Sequence, residues 1–266
     1  MGLFSRNFNK PGPGVRKDEP RKTGFKRFIE LLFRDLGDLV KLNLLFCICA
    51  APSFVAFIAG IMGIYSIFTI GLSLLFAFPV GGAMVSYVYY ITKMMRDDPS
   101  YVWYEFKRKF LENFKQAAPV GMLCTAFIYA QLLMWDSLIF NEAAADLLWF
   151  IIALLSLVLF GMITPYIFMH LAYIQLGTFR IIKNSILMSF GYLPRSFMGS
   201  ILGSILWIAF VLFIPDSILV FPLMLILGIS LSILMCLSWV WKPFNEYFKV
   251  EETLIEKANE KEEEYN

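Results

Sequence analysis

Apolar positions in this chain fall in long unbroken runs, and the polar positions between them are themselves patterned. Six runs stand at about residues 42–62, 67–91, 119–140, 147–173, 198–214 and 218–240. Each is near the ~20 residues that a hydrocarbon core requires. A lone strand would leave backbone groups unpaired in lipid, so the runs predict membrane-spanning α-helices. The polar stretches carry a helical period of their own. Over Phe25–Val40, Phe25, Phe28, Leu32, Leu36 and Leu39 share one face. Lys26, Arg27, Glu30, Arg34, Asp35 and Asp38 lie mostly on the other. That pattern predicts an interfacial amphipathic helix.

The longest hydrophilic break, Lys93–Pro119, repeats the pattern with Trp103, Phe106, Phe110, Phe114 and Ala117. It predicts a second helix lying on the membrane surface. A third copy reads Phe179, Ile182, Ile186, Phe190 and Leu193. The start points Phe25, Trp103 and Phe179 lie 78 and 76 residues apart, and Phe33, Leu111 and Leu187 coincide at the same relative position. Three units of one surface helix plus one helical hairpin would give this spacing; so would hairpins of regular length without a true repeat. The fold class expected is all-α: a polytopic helical membrane protein with amphipathic surface helices. Residues 1–24 read as a flexible Pro- and Gly-rich segment, 25–243 as a single transmembrane domain and 244–266 as an acidic cytoplasmic tail, a fraying helix followed by disorder.

Composition strengthens the membrane reading. The chain is 59% hydrophobic and 17% charged, against ~45–50% and ~25% in soluble domains. Its mean hydropathy is +0.67. Charge placement supplies an orientation. The N-terminal region, Lys93–Pro119, Ile174–Phe197 and the stretch after the last run carry Lys and Arg. Gly63–Ser66, Asn141–Asp146 and Pro215–Ser217 carry none. Positive-inside then places both termini in the cytoplasm of a cell-membrane protein with six spans. No cleavable signal is apparent, so the first span is expected to serve as its own insertion signal. The basic residues flank apolar runs rather than clustering in excess, which argues against nucleic acid as a partner.

Candidate chemistry is sparse. Cys47, Cys49, Cys124 and Cys236 all fall inside apolar runs and read as small apolar fillers. A single histidine, His170, excludes a histidine metal cluster, and neither a metal nor a cofactor is expected. An ionisable group inside a span is a functional candidate; a lone histidine is more often a hydrogen-bonded neutral residue. Pro52, Pro79 and Pro165 lie inside spans, where each removes a helical hydrogen bond, so Pro79 and Pro165 are candidate hinges. Gln131 can bond across helices, Asp136 sits near a span end, and Gly199 with Gly203 offers a smooth packing face. Phosphate loops, G-x-S-x-G, HExxH and paired intramembrane carboxylates are absent, so an enzyme is not expected.

The stretches KPGPGVRKDEP, FIELLFRDLGDLVKLNLLF and PVGGAMVSYVYYITKMMRDDPSYVWYEFKRKFLENFKQA resemble the YesL-like proteins. These are integral membrane proteins of Gram-positive bacteria whose molecular activity is unassigned. The likeness covers most of residues 8–120 and, more weakly, KNSILMSFGYLPRSF. It implies Gly81, Gly82, Tyr89, Lys93, Arg96, Asp97, Phe106, Phe110, Asn113, Phe114 and Lys115 as motif positions. To these the aromatic–basic pattern adds Trp103 as an interface candidate. The resemblance also implies a genomic setting of carbohydrate uptake and glycan degradation. From it follows the expectation of an accessory or regulatory protein beside an ABC-type sugar transporter. The three basic, aromatic surface helices themselves add the anionic headgroups of the bilayer as the other expected partner. The alternative is a small-solute transporter or permease-like protein.

Overall fold

The computed structural model describes residues 24–63, 66–98, 101–140, 147–174, 176–213 and 224–265. Among them every regular element is helical. In chain order these are α1 (Phe25–Arg34), α2 (Leu36–Ile61), α3 (Ser66–Leu75), α4 (Phe78–Met95), α5 (Val102–Phe140), α6 (Leu147–Tyr173), α7 (Thr178–Gly191) and α8 (Leu193–Phe213). A π-helical turn (Met224–Gly228) then leads into α9 (Ile229–Phe248) and α10 (Val250–Tyr265). Most of residues 1–24, the 141–146 turn and the 215–217 turn lie outside the described residues.

The protein is a polytopic helical membrane protein. Among the described residues five helical stretches are long and apolar enough to cross a bilayer: Leu36–Ile61, Phe68–Met95, Val102–Leu138, Leu147–Tyr173 and Ile226–Phe248. They correspond to five of the six expected runs. The remaining run, at 198–214, coincides with α8, which begins earlier, at Leu193, and is not among the five.

Several expected boundaries move, each for a physical reason. The Phe25–Val40 helix is two helices, broken at Asp35, because Leu39 and Leu42 turn inward with α2 while Leu36 is left exposed. The 67–91 span is interrupted at Phe76–Ala77. Pro79 therefore sits in the first turn of α4, where its missing N–H costs nothing, rather than deep in a helix. Pro165, by contrast, lies within the continuous α6. The acidic tail begins later than residue 244: Phe244 is fully buried in α9, and the chain turns only at Lys249, which adopts a left-handed conformation at φ 49°.

The largest correction concerns Lys93–Pro119. Its helix does not lie on the membrane as a separate element. It is the first half of α5, a single helix of 39 residues running straight into the expected span. At 1.5 Å per residue α5 is roughly 58 Å long, about twice the hydrocarbon thickness. Its apolar face meets protein rather than lipid. Phe110 lies over Gly82, Phe114 stands edge-on to Phe78, and Ala117 meets the backbone of Gly81. Gly81 and Gly121 bring the two backbones together so closely that a Cβ on either would overlap the other helix. Small residues permit such crossings where lipid supplies no hydrophobic drive.

The packed core sits towards one end of the bundle. From Gly81 to Met94 nearly every residue of α4 is buried, Tyr87 and Tyr90 included, and Tyr166, Leu39, Ile181 and Phe244 join it in the core with almost no exposure. The opposite half is open: in α6, Leu147 to Ile152 are all exposed. That is the surface expected to face acyl chains. Contacts also gather α1, the α4–α5 turn, the α6–α7 turn, the start of α8 and the end of α9 at the packed end. The stretches rich in Lys and Arg thus share one end of the molecule.

Candidate functional site

Many charged residues at this end are locked into three linked arrangements around the C-terminus of α4. Such a helix end leaves its last carbonyls unpaired and carries partial negative charge. Arg27 and Arg34 of α1 answer it, donating to the carbonyls of Met95 and Met94 at 3.2 Å each. Asp97 follows with φ 64°, a left-handed conformation that Asp tolerates better than most side chains. This backbone turn aims its carboxylate back at α1, where Arg27 donates to Oδ2 at 2.6 Å and Arg34 to Oδ1 at 2.5 Å. Burial pushes the Asp97 carboxyl up, but the hydrogen bonds from Arg27 and Arg34 outweigh it, and the group is held below the usual carboxylate range. Arg34 is raised in turn, by Asp35 first and by Asp97 as well. Arg34, Asp35, Asp38, Tyr90, Met94, Asp97 and Asp98 line a cavity of about 230 Å³ beside this latch.

Arg96 points the other way and is only 6% exposed. Its guanidinium lies 5.5 Å from the Tyr173 ring centre and 5.6 Å from that of Trp241. It donates to the Tyr173 hydroxyl at 2.8 Å and to Asp98 at 3.0 Å. The Tyr173 hydroxyl, having accepted from Arg96, donates to Thr92. Thr92 closes the chain on the carbonyls of Val88 and Tyr89 at 2.9 Å. Burial disfavours the Arg96 charge, but the Tyr173 hydroxyl and Asp98 more than offset it, so the group is raised. Arginine suits this position because its planar fork stacks and donates at once.

The third arrangement joins α4 to α5. Glu105, 6% exposed, accepts from Lys93 at 2.7 Å and from Arg108. Arg108 also donates to the Tyr89 hydroxyl at 3.2 Å, and the Lys109 ammonium stands 4.7 Å from the Tyr89 ring centre. The structure therefore brings Tyr89, Lys93, Arg96 and Asp97 to one end of α4, and sets Gly81, Gly82, Phe106, Phe110 and Phe114 along the α4–α5 seam below them. Asn113 donates only to the Lys109 carbonyl of its own helix, at 3.0 Å. Trp103 and Lys115 are exposed and lie outside the seam.

Sequence reading missed Arg27, Arg34, Glu105, Tyr173 and Trp241 as members of this cluster. Glu105 carried a signal, being an acid set among bases where solubility asks for none. Tyr173 and Trp241 sit at span ends, where aromatic residues are ordinary.

His170 is fully buried at the end of α6. Its ring stands edge-on to Phe244 and Phe248, each 5.1 Å away. Nδ1 lies 2.7 Å from the Tyr166 carbonyl and 3.1 Å from Ser185 Oγ. A carbonyl can only accept, so Nδ1 carries the proton and cannot also take one from Ser185. This Ser–His contact is therefore not a nucleophile–base pair. Among the described residues Nε2 is left buried without a partner.

A second buried polar group lies mid-bundle. Ser230, just after the π-helical turn, donates to the Leu39 carbonyl at 2.6 Å and is joined by the Tyr87 hydroxyl. Its N–H and Tyr87 both donate to Asn43 Oδ1, at 3.1 and 3.3 Å. Gln131 does bond across helices, donating to Ser156 of α6 at 2.7 Å. Among the described residues no group of three or more His, Cys, Asp or Glu is placed to hold a metal ion. No family model, no curated protein and no solved structure matches this chain.

Proposed function

We propose that this chain is a non-catalytic membrane accessory or regulatory component of carbohydrate uptake, with its basic end in the cytoplasm. The observation that carries this reading is the form of the α4–α5 hairpin. The Glu105 clamp and the Gly81–Gly121 crossing hold α5 against α4, and α5 exceeds the hydrocarbon by roughly 28 Å. On its outward side it leaves Trp103 at 64%, Tyr104 at 63% and Leu111 at 62% exposure, with Tyr101 at 85% just before its first turn and Lys107 and Lys115 alongside. Aromatic anchors on a rigid support, flanked by cations, suit docking of a protein partner. The sugar context comes from the resemblance to YesL-like proteins and implies an ABC-type transporter as that partner.

Affinity purification of the full chain from native membranes during growth on glycans tests the proposal. A sugar-transporter subunit should be retained by the wild type and lost from Trp103→Ala/Tyr104→Ala. Retention of the same subunit by both proteins would refute docking through this stripe.

One observation favours a second reading. The break at Phe76–Ala77 interrupts one bilayer-crossing stretch, and the π-helical turn at Met224–Gly228 opens another. The π-helical turn leads directly to the Asn43–Tyr87–Ser230 group. Interrupted helices beside buried polar groups recur in small-solute transporters. Solute uptake by the purified protein in liposomes would favour this alternative over the accessory role.

A further inference from the structure

We propose that α7 is an in-plane helix that binds anionic lipid headgroups through Arg180 and Lys183. This inference is independent of docking through α5. Helix α7 starts a few residues after α6 ends, and it packs against the last turn of that bilayer-crossing helix through Ser185 and His170. It therefore stands at the membrane boundary. Its inward face consists of Ile181, Ser185, Met188 and Ser189, all buried. Its outward face is apolar where a soluble protein would be polar. Phe179 is 82% exposed, Leu187 60%, Phe190 50% and Ile186 38%.

At 100° per residue the outward side chains fill an arc of about 120°. Phe179, Ile186 and Phe190 occupy one edge, and Lys183, Leu187 and Arg180 follow towards the other. Apolar residues at one edge and cations at the other are what a helix lying between acyl chains and headgroups presents. The exposed apolar surface continues onto α8 through Leu193 and Phe197.

Helix α7 differs from the other two amphipathic stretches in carrying no acid, although Lys26 of α1 and Lys107 and Lys115 of α5 also stay outside the ion pairs among the described residues. In α1, Arg27 and Arg34 are paired with Asp97, and in α5, Arg108 and Lys109 are paired with Glu105 and Glu112. Arg180 and Lys183 make no ion pair with any described residue, and Thr178–Gly191 contains no acid. Two uncompensated cations beside an exposed apolar face complement a negatively charged membrane surface.

The test uses the full-length chain in nanodiscs of phosphatidylcholine with or without phosphatidylglycerol. Phosphatidylglycerol should slow hydrogen exchange of the α7 amides and be retained over phosphatidylcholine on detergent extraction. Arg180→Gln/Lys183→Gln should abolish both effects, lowering retention by roughly fivefold per cation. Lys107→Gln, on the exposed side of α5, should leave them unchanged. Monodisperse elution and unaltered exchange in α4 would certify that the double variant is folded. Equal α7 exchange in the two membranes overturns the proposal. So does equal retention by wild type and double variant. Protection produced by inorganic phosphate in phosphatidylcholine discs would make α7 a free-anion site, and protection that requires a co-purifying protein would make it a protein interface; either result also overturns it.

Discussion

Asp97 concentrates several constraints in one side chain: a left-handed backbone, the end of α4 and two guanidinium partners. Asp97→Asn keeps the tolerance for φ 64° but removes the charge. It should free α1, read as faster hydrogen exchange over Phe25–Arg34 with α4 unchanged. The pH dependence follows from the direction of the shift. Because the folded carboxyl sits below its ordinary value near 3.8, the stabilisation is fully present above about pH 4 and is lost as the pH falls through the lower, folded value. Exchange over α1 should accelerate in that acid window in the wild type and be insensitive to it in Asp97→Asn. At the helix crossing, Gly81→Ala places a methyl group against the Ala117 carbonyl. Overpacking between backbones should cost roughly 1–3 kcal/mol in reversible unfolding in detergent micelles. Gly82→Ala meets the Phe110 ring at 3.1 Å and the Phe110 carbonyl at an ordinary 3.5 Å, and should cost less.

At the scale of elements, the α4–α5 pair is the unit on which the docking proposal stands. Its apolar seam and its Glu105 clamp are separable. Glu105→Gln keeps the shape but withdraws the charge shared by Lys93 and Arg108, and should weaken unfolding stability by roughly 1–3 kcal/mol. Protease should also cleave between α4 and α5 faster in this variant than in the wild type. The three stretches that share one apolar spacing make a useful comparison. Phe28 and Phe106 are buried, while Phe33, Leu111 and Leu187, at a common later position, are 73%, 62% and 60% exposed. Equal spacing thus produced three structures: a short docked helix, the stem of a long one and an exposed in-plane helix. Periodicity reports that a face is apolar, but not whether protein or lipid covers it.

For the whole molecule, the testable statement is sidedness. Lys107, in the basic half of α5, and Met62, 74% exposed at the end of α2, belong to opposite ends of the bundle. Single cysteines at these positions, with Cys47, Cys49, Cys124 and Cys236 replaced, should react with an impermeant maleimide from opposite sides of the membrane. Reaction of both from one side would contradict the arrangement of crossings. The same experiment on intact cells assigns the basic end to the cytoplasm or away from it.

What the amino-acid order decided alone is the class of fold and where most crossings fall. Runs of about twenty apolar residues have no other stable form in lipid, because helices alone satisfy every backbone group within one segment. It also indicated which stretches would gather at one end, since Lys and Arg recur in alternate connections. Only tertiary structure decided that Lys93–Pro119 stands upright against α4 instead of lying flat. That outcome depends on Gly81 and Gly82 opening a groove for Phe110 and Ala117, contacts between residues some thirty positions apart. Tertiary contact likewise selected which cations are spent inside the protein and which remain for the membrane. Ion pairing depends on distances that the linear pattern does not contain, so Arg27 and Arg180 look alike in the sequence and differ only once Asp97 has been placed.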